Sequence, residues 1–332
     1  MSILIDEVAA LYQAFIKGEQ SPLPELEVQY ADFAQWQREW LQGEVLEREL
    51  AYWREQLAGM PVLEMPTDRS RPPVPSYRGA RESFVLPPEV SQSLKQLSRQ
   101  EGTTLFMLLL SAFDVLLYHY TGQEDILLGT NVANRNRAET EKLIGFFINQ
   151  LVIRTDLSGN PRFKELMSRT RDVTLEAYAH QDLPFEKLVG ALQLERDLSR
   201  APVYQVKFEL NEEVTGNLSL PGLTINQVGD SSKVVRYDLH LTMNTLNGLS
   251  GHLAYATELF DQATVNRMTE QFKTILSVVA GQPDVPLDKL LSALRESDEQ
   301  RRLEREIELK QARLLKYQSV KRKAFGKAQQ DD

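Results

Sequence analysis

Ile144-Gly145-Phe146-Phe147-Ile148-Asn149, His180-Gln181-Asp182-Leu183-Pro184-Phe185-Glu186 and Arg196-Asp197-Leu198-Ser199-Arg200-Ala201-Pro202 crowd into one stretch of the chain. Each sets Gly or Pro beside apolar and charged residues, where an ordinary helix shows only periodic burial. The surrounding patterns alternate. Glu82 to Leu86, Ile126 to Val132 and Leu151 to Thr155 read as strands. Pro87-Pro88-Glu89 opens a helix carrying Val90, Leu94 and Leu97. Thr103 or Thr104 caps a second helix, Leu105 to Tyr120, that is apolar nearly all round, ends at Gly122, and is therefore expected deep in the core.

Asn160-Pro161 supplies cap and first-turn proline for a helix ending near His180. Tyr204, Val206, Phe208 and Leu210 alternate with polar neighbours, as do Tyr237, Leu239, Leu241 and Met243. After Asn247-Gly248 the same period returns at Leu249, Gly251, Leu253 and Tyr255, which predicts a hairpin. Asp261 then caps a helix with Val265, Met268, Phe272, Ile275, Leu276 and Val279 inward.

Ahead of this α/β region, residues 3–16 have a helical period, and a second helical region runs from Tyr30 to Leu57 with all three tryptophans. That aromatic stripe is read as core packing. Pro61, Pro66, Pro72, Pro73 and Pro75 make an extended connector and the expected domain boundary. Residues 1–78, 79–292 and 293–332 are the expected units. The last is about half charged, with Leu303, Ile307, Leu314 and Tyr317 near heptad spacing, and reads as an exposed docking helix or a solvated leash.

The chain has 332 residues, 42% hydrophobic and 26% charged, as in an ordinary globular protein of about two domains. A net charge of −9 argues against broad nucleic-acid binding. The absence of cysteine excludes disulfides, thiolate nucleophiles and Cys-based zinc sites, and suits a cytoplasmic location. No apolar run spans a bilayer, so no membrane partner is expected. His119, His180, His240 and His252 lack metal-site spacing, and no phosphate loop or nucleophile signature occurs. Of the four, only His180 has a motif-like setting, where a capping role competes with acid–base work. The residues alone give no self-evident catalytic constellation.

Together with Tyr30-Ala31-Asp32-Phe33-Ala34-Gln35-Trp36, the three opening segments resemble the condensation domains of nonribosomal peptide synthetases. That family carries Tyr-x-Asp-Phe-Ala-x-Trp, Ile-Gly-Phe-Phe-Val-Asn, His-Gln-Asp-x-Pro-Phe-Glu and Arg-Asp-x-Ser-Arg-x-Pro in this order, and here Ile148 replaces the usual valine. Pro66-Thr67-Asp68-Arg69-Ser70-Arg71-Pro72 and Asn134-Arg135-Asn136-Arg137 also look like the family. The resemblance covers residues 1 to about 292. It implies a chloramphenicol-acetyltransferase-like α/β fold, here one near-complete lobe, a remnant of the first lobe and a charged helical tail. It also implies carrier-protein partners, substrates on phosphopantetheine arms, and no metal or cofactor bound by the chain itself. The family's His-His-x-x-x-Asp-Gly motif is absent from this sequence. No histidine here takes its role by match, and an upstream polypeptide is expected to supply that lobe.

Residue by residue, the resemblance implies a tunnel-facing Asn149, as a hydrogen bonder to substrate or alternatively as a strand-end amide. Gly145 would permit close backbone approach or a bulge. His180, Asp182, Pro184 and Glu186 are read as a rigid turn between helices rather than as direct chemistry. Arg196, Asp197 and Arg200 suggest an ion-pair network, with Pro202 stiffening entry to a strand. Tyr30, Asp32 and Trp36 are read as lobe-packing residues.

Overall fold

The computed structural model describes residues 2–193, 197–211, 220–223, 233–246 and 248–300. Its strands are β1 (Gly79–Val85), β2 (Asp125–Val132), β3 (Asn149–Asp156), β4 (Val206–Asn211), β5 (Leu239–Asn244) and β6 (Ser250–Ala256). They form one mixed sheet in the order β1-β6-β5-β4-β2-β3, parallel only at β2/β4 and β4/β5. The helices are α1 (Ser2–Phe15), α2 (Tyr30–Trp40), α3 (Gly43–Gln56), α4 (Pro88–Gln100), α5 (Leu105–Thr121), α6 (Phe163–Ala179), α7 (Phe185–Leu192) and α8 (Gln262–Gly281). No single described helix is long and apolar enough to cross a membrane.

The two-residue period of the strands gives the sheet unlike faces. Leu128, Ile153, Phe208 and Leu241 point to the side covered by α4, α5, α6 and α8, where α5 is buried from Met107 to Leu117. Phe208 meets Phe106 and Phe113 of α5 there. The opposite face carries Asn131, Gln150, Lys207, Glu209, His240 and Thr242. The caps fall where the residue types demand them: Thr104 Oγ1 accepts from Met107 N at 3.2 Å, and Gly122 closes α5 at φ +67°.

The N-terminal region is fastened to the sheet layer. Leu41, Leu50, Trp53, Leu57 and Leu63 belong to the same buried cluster as the sheet and α5. Trp53 Nε1 donates to His180 O at 3.1 Å, and Arg154 on β3 donates to Gln56 O at 2.8 Å and Ala58 O at 2.9 Å. The proline-rich connector is pinned in turn. Asp68 accepts from Asp261 N at 2.7 Å and from Thr264 Oγ1 at 2.9 Å, capping α8 from outside, while Arg69 pairs with Asp261 and Arg71 with Asp238. α1 is looser: Val8, Phe15 and Ile16 are exposed, although Tyr12 OH reaches Pro221 O at 3.0 Å.

Several expectations shift. The second helical region is two helices, broken before Gly43, whose φ is +53°. α6 starts at Phe163, with Arg162 at the N-cap; Asn160 adopts φ +52° and its Oδ1 accepts instead from Asp288 N at 2.9 Å. Tyr204 precedes its expected strand after Val203 at φ +71°, and its ring lies on the polar face against Gly129. Residues 287–300 are helical. Arg196, Asn247 and the rest of the tail, residues 301–332, lie outside the described residues.

Candidate functional site

The four motif segments interlock. Tyr30 OH donates to Phe146 O at 3.0 Å, and its ring meets Phe147 edge-on at 5.2 Å. A β-carbon on residue 145 would lie 2.3 Å from Tyr30 Cδ2, so Gly145 is required by the close approach of an aromatic ring. Asp32 Oδ2 accepts from Gln29 N at 2.8 Å and fixes the start of α2. Trp36 stacks on Trp40 at 5.2 Å, and the Arg137 guanidinium lies 4.0 Å over the Trp36 ring.

Asn149, at the head of β3, is buried and fully used by the α6–α7 turn. Its Nδ2 donates to Gln181 O at 2.7 Å and Leu183 O at 2.8 Å, and its Oδ1 accepts from Phe185 N at 3.1 Å and Gln150 N at 2.9 Å. Both amide N–H groups are therefore engaged by carbonyls, as a strand-end amide's would be. His180 is equally occupied: Nδ1 lies 2.7 Å from Glu49 Oε2, and the ring stacks on Tyr52 at 3.8 Å. Asp182 accepts from Asn136 Nδ2 at 3.0 Å, Pro184 is the N-cap of α7, and Glu186 sits in that helix's first turn. In the fourth segment, Asp197 Oδ1 accepts from Ser199 N and Oγ at 2.8 and 2.7 Å, which holds its carboxyl below the usual range. Arg200 pairs with Glu64 at 3.2 Å and Asp197 at 3.6 Å, and Pro202 O accepts from Tyr204 N in the turn before β4.

The open chemistry lies one residue beyond Asn149, on the polar face of the sheet. A cleft there has two arms, of about 890 and 550 Å³, that share Gln150, Val234, Arg236 and Tyr237. Glu209 stands in the larger arm with Lys207 Nζ 2.9 Å and His240 Nε2 3.1 Å from its carboxylate, and Asn131 Nδ2 donating to it. Burial would raise the Glu209 carboxyl, but the hydrogen bonds and charges of His240 and Lys207 outweigh it and hold the group down to about 2. Tyr204 and Tyr237 stack at 5.3 Å and both donate to Gln150 Oε1. Burial, then the neighbouring Tyr237, pushes the Tyr204 phenol upward, so it stays protonated. Motif reading missed this cluster. Its one signal was the alternation of Lys207 and Glu209 with Val206, Phe208 and Leu210, and of His240 and Thr242 with Leu239, Leu241 and Met243.

Residues 1–303 match the condensation domain family. A linear gramicidin synthase of Brevibacillus parabrevis is 50% identical over 307 residues, 90% of this chain and 6% of that protein. Surfactin synthase subunit 1 of Bacillus subtilis (strain 168) is 40% identical over 297 residues, 88% of this chain and 8% of that protein. The chain thus spans less than a tenth of the length of these curated relatives. The X-domain from teicoplanin biosynthesis, solved in complex with OxyB, superposes with a TM-score of 0.77 at 30% identity, covering 87% of this chain and 66% of that one. The motif frame, the sheet order and the match over residues 1–303 place this chain in the condensation domain family, with its chloramphenicol-acetyltransferase-like fold.

Proposed function

We propose that this chain forms part of an amide-bond-forming condensation domain of a nonribosomal peptide synthetase, joining a carrier-bound acyl or peptidyl thioester to a carrier-bound aminoacyl thioester. In this reading residues 79–292 form the second lobe, residues 1–78 belong to the first, and residues 293–332 are a linker. The substrates arrive on phosphopantetheine arms of carrier proteins, and the amine attacks the thioester carbonyl while the arm's thiol leaves. The observation that carries the reading is the interlocked motif frame, which sets the start of β3 and the polar face of the sheet beside one cleft.

The sequence holds no adjacent histidine pair. His180 is tied to Glu49 and His240 to Glu209. Proton removal from the attacking amine is assigned to a lobe carrying His-His-x-x-x-Asp-Gly, and residues 1–332 without that lobe are expected to be inactive. The test mixes the chain with loaded donor and acceptor carriers, with and without such a lobe, and follows amide product by mass spectrometry. Product from the chain alone sinks the requirement for the histidine-bearing first lobe. No product in either arm sinks the enzyme reading.

A second reading is a noncatalytic platform that recruits carriers or a tailoring enzyme. It is favoured by the similarity to the X-domain, a protein solved in complex with OxyB. A stable complex with a tailoring enzyme, combined with no product in either arm above, would select it.

A further inference from the structure

We propose that Gln150 is a catalytic residue of the condensation reaction, its side-chain Nε2 donating a hydrogen bond to the thioester carbonyl oxygen as that oxygen takes up negative charge. This rests on the amide-forming reading above and adds the group that holds the reacting carbonyl. Gln150 stands one position past the Ile144–Asn149 segment, outside every motif that carried the family resemblance.

The structure fixes this residue at both ends. Its main chain is set by Asn149, whose Oδ1 accepts from Gln150 N at 2.9 Å and from Phe185 N at 3.1 Å. Strand alternation turns the side chain onto the polar face beside Asn131, its register partner on β2, where it lines both arms of the cleft. The carboxamide is then held by its oxygen. Gln150 Oε1 accepts from Tyr237 OH at 3.3 Å and from Tyr204 OH. The two phenol rings stack at 5.3 Å, and the Tyr204 ring fills the space that a β-carbon on Gly129 would need, so neither hydroxyl is free to swing away. A planar amide anchored at Oε1 by two donors carries its Nε2 on the far side of Cδ, turned from the tyrosines. By drawing electron density toward Oε1, the same two hydroxyls make the Nε2 hydrogens stronger donors.

In the reaction the amine nitrogen bonds to the thioester carbon, the carbonyl oxygen becomes an oxyanion, and the carbon–sulfur bond then breaks as the carbonyl re-forms. The amine's proton passes by way of the histidine-bearing lobe to the departing thiolate. A neutral donor fixed in place before the charge appears stabilises that oxyanion without reorganising at the moment of reaction. Lys207, a cation on the same face, is committed instead to Glu209 at 2.9 Å. Gln150 is thus the donor, and Tyr204 and Tyr237 are its positioning residues.

The test has a spectroscopic arm that needs no histidine lobe. S-octanoyl-pantetheine, isotope-labelled at its carbonyl carbon, is bound to the full chain and its carbonyl stretch is read by infrared difference spectroscopy. Binding to wild type is expected to move the stretch to lower wavenumber. Gln150→Met, which keeps the length of the side chain without its N–H groups, should abolish that shift. The combined Tyr204→Phe and Tyr237→Phe variant keeps Nε2 and both rings but frees the amide to turn, and should lose most of it. With the histidine-bearing lobe added, Gln150→Met should lower kcat about 100-fold while KM changes little. Thermal unfolding close to that of wild type confirms that each variant folds. No binding of the probe, no shift in wild type, a shift that survives in either variant, or an unchanged kcat overturns the proposal. A Gln150-dependent shift without amide product from wild type and lobe overturns only the enzymatic reading, whereas product with a shift indifferent to Gln150 overturns only this assignment.

Discussion

Tyr30 and Gly145 share one space: the Tyr30 ring occupies the room that any side chain on residue 145 would need, and its hydroxyl is anchored on Phe146 O. Gly145→Ala should destabilise the protein by about 1–3 kcal/mol through overpacking. In a Tyr30→Ala background the same change should cost much less, because the obstructing ring is gone. Urea denaturation of the four variants decides it, and additive costs would refute the contact.

Asn149 ties β3 to the α6–α7 turn through four hydrogen bonds. Asn149→Ala leaves Gln181 O and Leu183 O unsatisfied in a buried site and should cost about 2–4 kcal/mol. Asn149→Asp should be at least as damaging, since a carboxylate would face two carbonyls. Urea denaturation of the three proteins measures both costs, and an Asn149→Ala variant as stable as wild type would contradict the four-bond tie.

Glu209 contributes a pH-dependent term. Its folded carboxyl lies near 2 against an ordinary 4.5, so the stabilisation it gives is complete above about pH 4.5 and disappears as the pH falls toward 2. Discounted for partial exposure, wild type should lose about 1–2 kcal/mol more than Glu209→Gln across that window. Denaturation curves at pH 5 and pH 2.5 measure the difference.

Asp114 behaves in the opposite sense. It lies fully buried in α5, where burial, the larger effect, raises its proton affinity and the Thr155 hydroxyl lowers it. Burial pushes the carboxyl well above its usual value. The stability linked to its proton is fully present below the unfolded carboxylate range and is lost as pH rises through the folded value. Asp114→Asn should therefore match wild type in acid and exceed it in stability at alkaline pH. Parallel curves from pH 4 to 9 would contradict this.

Truncation separates the N-terminal helices. Removing residues 1–28 deletes α1, whose Val8 and Phe15 are exposed, and should leave the cooperative transition intact. Removing residues 1–57 also deletes Leu41, Leu50, Trp53 and Leu57 from the common core and should give insoluble protein. Gel filtration and circular dichroism distinguish the two.

The elements of the sheet layer were readable because period two, period 3.6 and the cap residues agreed with one another, as at Thr104, Gly122 and the β5–β6 hairpin. The family could be read from motifs whose residues prove to be joints: Gly145 beneath Tyr30, Asn149 in the α6–α7 turn, His180 on Glu49. The cleft could not be read. Glu209 and His240 are 31 positions apart in sequence and meet only because β4 and β5 pair in parallel, a register that no local pattern encodes. Tyr204 followed the alternation yet left the expected face, because Val203 turns the backbone before the strand begins.

The cap that Asp68 places on α8 also bears on the order of folding. It joins Asp68 to a backbone amide 193 positions later, so the start of α8 cannot be completed until nearly the whole described chain has emerged. Such a closure is entropically slow to form and raises the contact order of the entire layer. During synthesis Asp68, Arg69 and Arg71 of the connector must wait without these partners until Asp238, Asp261 and Thr264 are made. The late clasp makes this segment the point at which a nascent chain is most exposed to misassembly with its neighbours.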